Sequence, residues 1–323
     1  MKLKNLYQES VKKGIEADIR SREEIDELLK NKKKAYDSLI AKEKDIFDTD
    51  AFFNPYADTR LLNGSPETDV QSIIVGIDVE AGELLVMDRL REKGKKIDLA
   101  IAHHPEGRAY AQFWGVMDLQ ADIFAQKGVS ISVSEGLTRE RRDQVERRVH
   151  AANHCRNSDV AKLLGLNYIC MHTPCDNCAN QFLGNQLKKH KPNTLSSIMD
   201  MLLDIPEYNA AAKSNNAPII AVGSRKARCN NIHLEFTGGT EGPKDIYAKL
   251  AAQGIDTIIA MHQSEEHYKK CRDAKINVIF ASHIASDNIG INIVLDHLEN
   301  KNKKKFKTYE LSGFRRFRRK QKR

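Results

Sequence analysis

Three short stretches of the chain carry side chains able to hold metal ions. They are His103-His104-Pro105, His172-Thr173-Pro174-Cys175-Asp176, and His283 with Asp287 four residues later. Neutral imidazole and carboxylate are donors that zinc, manganese, iron and nickel accept. Adjacent histidines at the end of a strand diverge enough to serve two ions, and a histidine and an aspartate four apart share one face of a helix. Each piece also has an ordinary structural reading. The His-His pair can be a surface pair, His172 a hydrogen-bonding core residue, and Asp176 or Asp287 the N-cap of the helix that follows it.

Positioning such side chains requires strands that end where the motifs begin. Ser72–Ile77 and Ile97–Ala102 read as buried strands, with an amphipathic helix over 80–93 between them. That β-α-β order predicts a parallel pair with a right-handed crossover. The second strand delivers His103 and His104, a strand at 167–171 delivers His172, and one at 277–281 delivers His283. In open α/β sheets, ligands bind at these carboxyl ends. Helices are expected at 115–127, 138–165 (broken near Cys155), 178–190 and 194–203, with a short strand at 129–133. The second half repeats the theme, with strands at 218–222, 233–236 and 256–260 and helices at 243–253, 264–274 and 286–299. Gly94–His104 can be laid over Gly254–His262 with a two-residue gap, which pairs Asp98 with Asp256, Ala102 with Ala260 and His104 with His262. The expected fold is two similar α/β domains built from duplicated βαβ-type units, residues 69–192 and 193–300. Residues 1–68 read as a helical N-terminal extension, with a Ser21–Glu24 capping box and loop over 47–68.

Composition bounds the function. At 323 residues the chain suggests about two domains. No apolar run approaches the ~18 residues of a membrane span, and Met1-Lys2-Leu3-Lys4 has no apolar stretch behind it to suggest a secretory signal. Six cysteines are too few for a disulfide scaffold, so a cytoplasmic setting is expected. Residues 301–323 hold 12 of the 52 lysines and arginines and only one acid, Glu310. The other 300 residues hold 40 basic and 43 acidic side chains, so the net charge of +8 belongs to the tail.

The ordered triple Ala102-His103-His104-Pro105, His172-Thr173-x-x-Asp176 and His283-x-x-x-Asp287 resembles the Nif-three-like family, whose members are often described as GTP cyclohydrolase I type 2. The resemblance runs from about Ser72 to Leu298. It implies two similar α/β domains with two divalent metal ions (zinc, manganese, iron or nickel) between them, and a homo-oligomer, commonly a ring of six. It also implies that His103, His104, Asp176, His283 and Asp287 are the ligands, with Asp176 or Asp287 bridging and His172 behind them. The chain departs from the family in three ways. Aspartate stands at 287 where glutamate is usual, the segment 135–165 lengthens the first domain, and both termini are extended.

Other segments carry further expectations. His262-Gln263-Ser264-Glu265-Glu266-His267 resembles the family's cavity-lining stretch, which points to His262 and Glu265, although Ser264 could simply cap an exposed helix. The glycine loop at 237–242 is a turn or a phosphate cradle at a helix start, with Glu241 set against a phosphate. Cys175 and Cys178 form a C-x-x-C that is incidental, redox-active or metal-associated. Arg315, Arg316, Arg318 and Arg319, with Phe314 and Phe317, could contact nucleic acid or belong to a solvated tail. Two functions follow. One is a metal-dependent hydrolase of a nucleotide or related small molecule. The other is a non-catalytic metal-dependent regulator that uses its basic tail.

Overall fold

The computed structural model describes residues 1–319; residues 320–323, the end of the basic tail, lie outside the described residues. The chain begins with α1 (Leu3–Glu16), α2 (Arg22–Asp37) and α3 (Ala41–Asp45), then β1 (Arg60–Asn63), β2 (Ser72–Gly76), α4 (Ala81–Glu92) and β3 (Leu99–Ala102). Next come α5 (Gly107–Ala111), α6 (Asp118–Gln126), α7 (Ile131–His150), α8 (Cys155–Leu163), β4 (Tyr168–Cys170) and α9 (Thr173–His190). The second half runs through α10 (Leu195–Leu203), α11 (Pro206–Lys213), β5 (Ile219–Val222), β6 (Ile232–Glu235), α12 (Ile246–Ala252) and β7 (Thr257–Ala260). It ends with α13 (Glu265–Asp273), β8 (Asn277–Phe280), α14 (His283–Asn302) and β9 (Lys307–Glu310).

Two mixed sheets result, ordered β1-β4-β3-β2-β9 and β5-β8-β7-β6. Without β9 they have one topology: an antiparallel edge strand followed by three parallel strands. Both edge strands slip register after their second residue, at Leu61 and at Ile220. Asp98 accepts the backbone N–H groups of Gln71 and Ser72, and Asp256 accepts those of Asn230 and Asn231. The two aspartates paired by the sequence overlay therefore tie down equivalent strand starts.

Both faces of each sheet are covered, so the strands read as continuous apolar runs. In the first sheet Ile73, Val75, Leu99 and Ile101 pack with Leu6 and Val11 of α1, Cys175 and Cys178 of α9 and Leu295 and Leu298 of α14. Ile74, Ala100 and Tyr168 face the other way, toward Leu84 and Met87 of α4 and Ala161 of α8. In the second sheet, Ile259 and Ile279 meet Leu183 of α9 and Ile289 of α14, along with α10 and α11. Helices α9 and α14 thus serve both domains. They cross closely: a Cβ on Gly290 would lie 2.2 Å from the carbonyl oxygen of Cys175. No helix among the described residues is long and apolar enough to cross a membrane.

Several local expectations are corrected. The short strand at 129–133 is instead the start of α7. The alternation of Val129, Ile131 and Val133 resembles a strand, but burial of Ser134, Thr138, Val145 and Val149 follows the helical period. The loop at 47–68 contains β1, and α11 was not expected. The N-terminal segment is integral to the first domain: α1 lies in its core, and a Cβ on Gly14 would come within 2.6 Å of Pro174 on α9.

The basic tail is folded as well through residue 319. β9 pairs in parallel with β2, and Phe306 and Phe314 are buried. Asn288 and Asn292 of α14 hold its backbone: Asn288 Oδ1 accepts from Arg315 N–H at 2.6 Å, and Asn292 Nδ2 donates to the Arg315 carbonyl at 2.9 Å.

Gly290→Ala has no flexible neighbour to displace at the crossing, only backbone. It is expected to cost about 1–3 kcal/mol, read as a lower urea midpoint, and to reduce metal content by parting Asp287 from Asp176.

Candidate metal centre

The metal-competent side chains meet where β3 and β4 end and where α9 and α14 begin. The turn after β3 is pinned by backbone bonds from His103 N–H to Gly76 O and from His104 N–H to Ile77 O. His103 is 1% exposed. Its Nδ1 lies 3.1 Å from the carbonyl of Met171, which can only accept, so Nδ1 carries the proton and Nε2 presents a lone pair. That Nε2 stands 3.3 Å from Asp176 Oδ1 and 3.5 Å from Asp287 Oδ1 and has no hydrogen-bond partner.

The neighbouring rings repeat the arrangement. His104 Nδ1 is 2.6 Å from Asp78 Oδ1, and its Nε2 is 3.7 Å from Asp287 Oδ2. His172 Nδ1 is 2.8 Å from Asp58 Oδ2, and its Nε2 is 3.6 Å from Asp176 Oδ2. Thr173 Oγ1 donates to the same Asp58 oxygen at 2.5 Å. A carboxylate or carbonyl behind each ring fixes the tautomer that leaves Nε2 free for a cation. Two overlapping triads have one donor atom from each residue within 4.8 Å of one another: His103, His172 and Asp176, and His103, His104 and Asp287. His283 adjoins the second, its Nε2 3.7 Å from Asp287 Oδ2.

The electrostatics call for positive charge. Asp287 is 1% exposed, and neither carboxylate oxygen has a hydrogen-bond partner. Burial raises its pKa, but the charge that His103 and its neighbouring imidazoles can carry outweighs this and holds it down at about 2. Burial opposes a charge on His103, yet the Asp287 and Asp176 carboxylates raise it well above its ordinary value. His172 is raised in the same way by Asp176 and Asp58 against burial, whereas burial lowers His283. Without metal, protons on His103 and His172 would balance the carboxylates. A buried, unpaired carboxylate is costly, and bound metal ions are a common remedy. The donors fit a cation.

The site opens into a cavity of about 90 Å³ between the domains, in part open to solvent. His262 lines it, as the sequence suggested, 4.8 Å ring to ring from His283. Glu265 does not: its side chain is 70% exposed on α13 and pairs with Lys269. The carboxylate beside His262 on the wall is Glu241, 3.7 Å from His262 and 3.6 Å from His267, and it accepts the Ser264 N–H. Asp176 and Asp287 lie inside their helices and are not N-caps. His172 stands within the donor cluster, whereas the family resemblance had placed it behind.

The remaining candidates have partners within the fold. The glycine loop docks on α6, where Gln120 Nε2 donates to the Gly238 and Thr240 carbonyls at 2.8 and 2.7 Å. A Cβ on Gly238 would meet Gln120 Cγ at 2.7 Å. Cys175 and Cys178 are free and buried, and burial pushes both thiols up, away from redox reactivity. Helix α7, in the long segment 135–165, reaches the glycine loop, with Arg141 Nε donating to the Glu241 carbonyl at 3.1 Å. In the tail, Arg316 pairs with Asp296 and Glu299, Arg318 with Glu299, and Arg319 with Glu207 at 2.6 Å. Arg315 Nη1 donates to the Phe314 carbonyl. Three of the four arginines proposed for nucleic acid thus already have acidic partners within the fold. Sequence reasoning missed Asp58 and Asp78. Asp78 follows β2 by two residues, and a search for carboxylates near strand ends would have found it. Asp58 is 114 positions from His172 and has no local signal.

The fold is similar to that of a solved NIF3 superfamily protein from Sphaerobacter thermophilus, at 25% identity over 80% of this chain and 91% of that one, with a TM-score of 0.70. Weaker likenesses extend to reduced HcgD from Methanocaldococcus jannaschii (10% identity, 78% and 88% of the two chains, TM-score 0.45). They also include a Bacillus cereus protein related to NIF3 (9%, 78% and 89%, TM-score 0.40). No protein-family model and no curated protein matches the chain.

Elemental analysis should show metal falling sharply in His103→Ala and Asp287→Asn, with Glu265→Gln indistinguishable from wild type. A second expectation concerns Glu235, at the end of β6 in the cavity wall. Burial pushes its carboxyl up to about 7 from an ordinary value of 4.5. The native state therefore keeps a proton that the unfolded chain loses, and stability falls as pH rises between those values. Glu235→Gln should leave the urea midpoint unchanged near about pH 4 and add roughly 1–3 kcal/mol near about pH 8.

Proposed function

We propose that this chain, a member of the NIF3 superfamily, is a metal-dependent hydrolase that holds two divalent ions between its domains. The observation that carries the reading is Asp287, a buried carboxylate whose oxygens lack hydrogen bonds and face His103, His104 and His283 through Nε2. His103, His172 and Asp176 would hold one ion, and His104, His283 and Asp287 the other, with zinc, manganese, iron and nickel all compatible with these donors. When bound, such ions polarise a substrate oxygen and bring the pKa of water toward about 7.

The chain's own groups supply the rest. Asp58 and Asp78 orient the rings, and the cavity beside them opens to solvent. Glu241 and His262, 3.7 Å apart on its wall, are placed to hold a proton exchanged with substrate. The substrate class, a nucleotide or related compound, comes from the family's frequent description as GTP cyclohydrolase I type 2. Assembly as a ring of six belongs to the same reading.

Metal-replete protein should turn over at least one member of a panel of nucleotides, cyclic amides and phosphoesters. Chelation should abolish turnover and reloading should restore it. His103→Ala should lower kcat/KM by roughly a hundredfold or more. No turnover across the panel with about two metals bound would overturn the hydrolase assignment.

A further inference from the structure

The histidines at the cavity form a row that runs from solvent to the interior. His262, His283, His104, His103 and His172 follow one another at ring-to-ring distances of 4.8, 5.4, 5.3 and 4.9 Å. Exposure falls along it. The His262 side chain is 51% exposed, His283 35% and His104 27%, while His103 and His172 are buried. Restraint rises in the same direction. A carboxylate or carbonyl holds Nδ1 of His104, His103 and His172. Among the described residues no hydrogen bond holds the ring of His262 or His283, whose nearest carboxylates stand 3.7 Å away.

His262 belongs to neither proposed ion position, yet it is one ring from His283. The carboxylate beside it is Glu241. Among the described residues no lysine or arginine pairs with that carboxylate, and Arg141 donates to the Glu241 backbone carbonyl instead. The other ring near Glu241, His267, is already committed within the fold, hydrogen-bonded to Ser264 Oγ at 2.7 Å and to the Gly242 carbonyl at 2.9 Å. The exposed end of the row therefore offers one free imidazole and one anionic group. Two donors, one of them unrestrained, bind a divalent ion weakly. Metal–nitrogen bonds are about 2.0–2.1 Å, so two rings 4.8 Å apart can meet at one ion, and an ion on His262 can engage His283 before leaving.

We infer that His262 and Glu241 form an entry site for divalent cations, which takes a hydrated ion from solvent and hands it to His283 and the buried carboxylates. Glu241 supplies the attraction and His262 the first nitrogen donor. The inference rests on the two-ion reading and concerns how the ions arrive rather than what they do. Release retraces the path of entry. Loss of the entry site therefore slows arrival and departure by the same factor and leaves affinity unchanged. A resident ligand behaves differently, because its loss speeds departure and weakens affinity.

The test is stopped-flow absorbance of cobalt(II) mixed with the metal-free full chain. Release is followed in excess EDTA, at concentrations where the rate no longer depends on EDTA, and affinity comes from equilibrium titration. His262→Ala should slow loading and release each by at least about tenfold with affinity unchanged. Glu241→Gln keeps an acceptor for the Ser264 N–H. It should slow loading by about tenfold and weaken the dependence of the loading rate on salt. This second variant makes the same test if His262→Ala fails to fold. The inference is overturned if both variants load at the wild-type rate. It is also overturned if His262→Ala releases cobalt faster and binds it more weakly, which would make His262 a resident ligand. Wild type that binds no cobalt would defeat the two-ion reading and the entry site together. Normal binding with unaltered rates in the variants would defeat the entry site alone.

Discussion

The site depends on how closely α9 and α14 approach. Each helix follows a strand of a different sheet, and each carries one aspartate near its start. Gly290 removes the side chain that would separate the helices, letting α14 rest on the backbone of α9 at Cys175. Asp176 is the next residue on α9, and Asp287 lies about one turn before Gly290 on α14. The crossing therefore brings the two carboxylates to one imidazole nitrogen, 3.3 and 3.5 Å from His103 Nε2. Close contact between the two helix backbones thus sets the polar geometry of the site.

Charge then explains the surrounding residues. Two buried carboxylates without a cation are unfavourable in a low-dielectric interior. The protein surrounds them with imidazoles whose outer nitrogens are held by Met171, Asp78 and Asp58. These contacts raise the basicity of the inner nitrogens and hold the rings in place, which prepares the cluster for a metal ion. Glu235, elsewhere on the cavity wall, has no such surroundings, and burial pushes its carboxyl up to about 7.

Helix α14 is braced on its far side. Asn288 directly follows Asp287, and its amide oxygen and nitrogen bind the tail backbone at Arg315 and Gly313. Arg316 and Arg318 then bond to Glu299, and Arg319 to Glu207. The fifth strand that distinguishes the first sheet from the second comes from this same segment. Three of its arginines are neutralised within the fold, because α14 and α11 present acids to them.

Local patterning determined a good deal on its own. Apolar runs ending on His103, His172 and near His283 located strand ends, the Asp98/Asp256 overlay announced the duplication, and the i,i+4 spacing put His172 with Asp176 and His283 with Asp287. Such features are legible because they arise from residues a few positions apart. The sequence alone could not show that Glu241, rather than Glu265, lines the cavity, since a carboxylate's direction depends on which helix face is buried. Nor could it reveal Asp58 behind His172, β1 inside an apparent loop, or a lysine-rich tail folded as a strand. Those outcomes were decided by tertiary packing, because an edge strand or a buried ion pair is stabilised by partners dozens to hundreds of positions away.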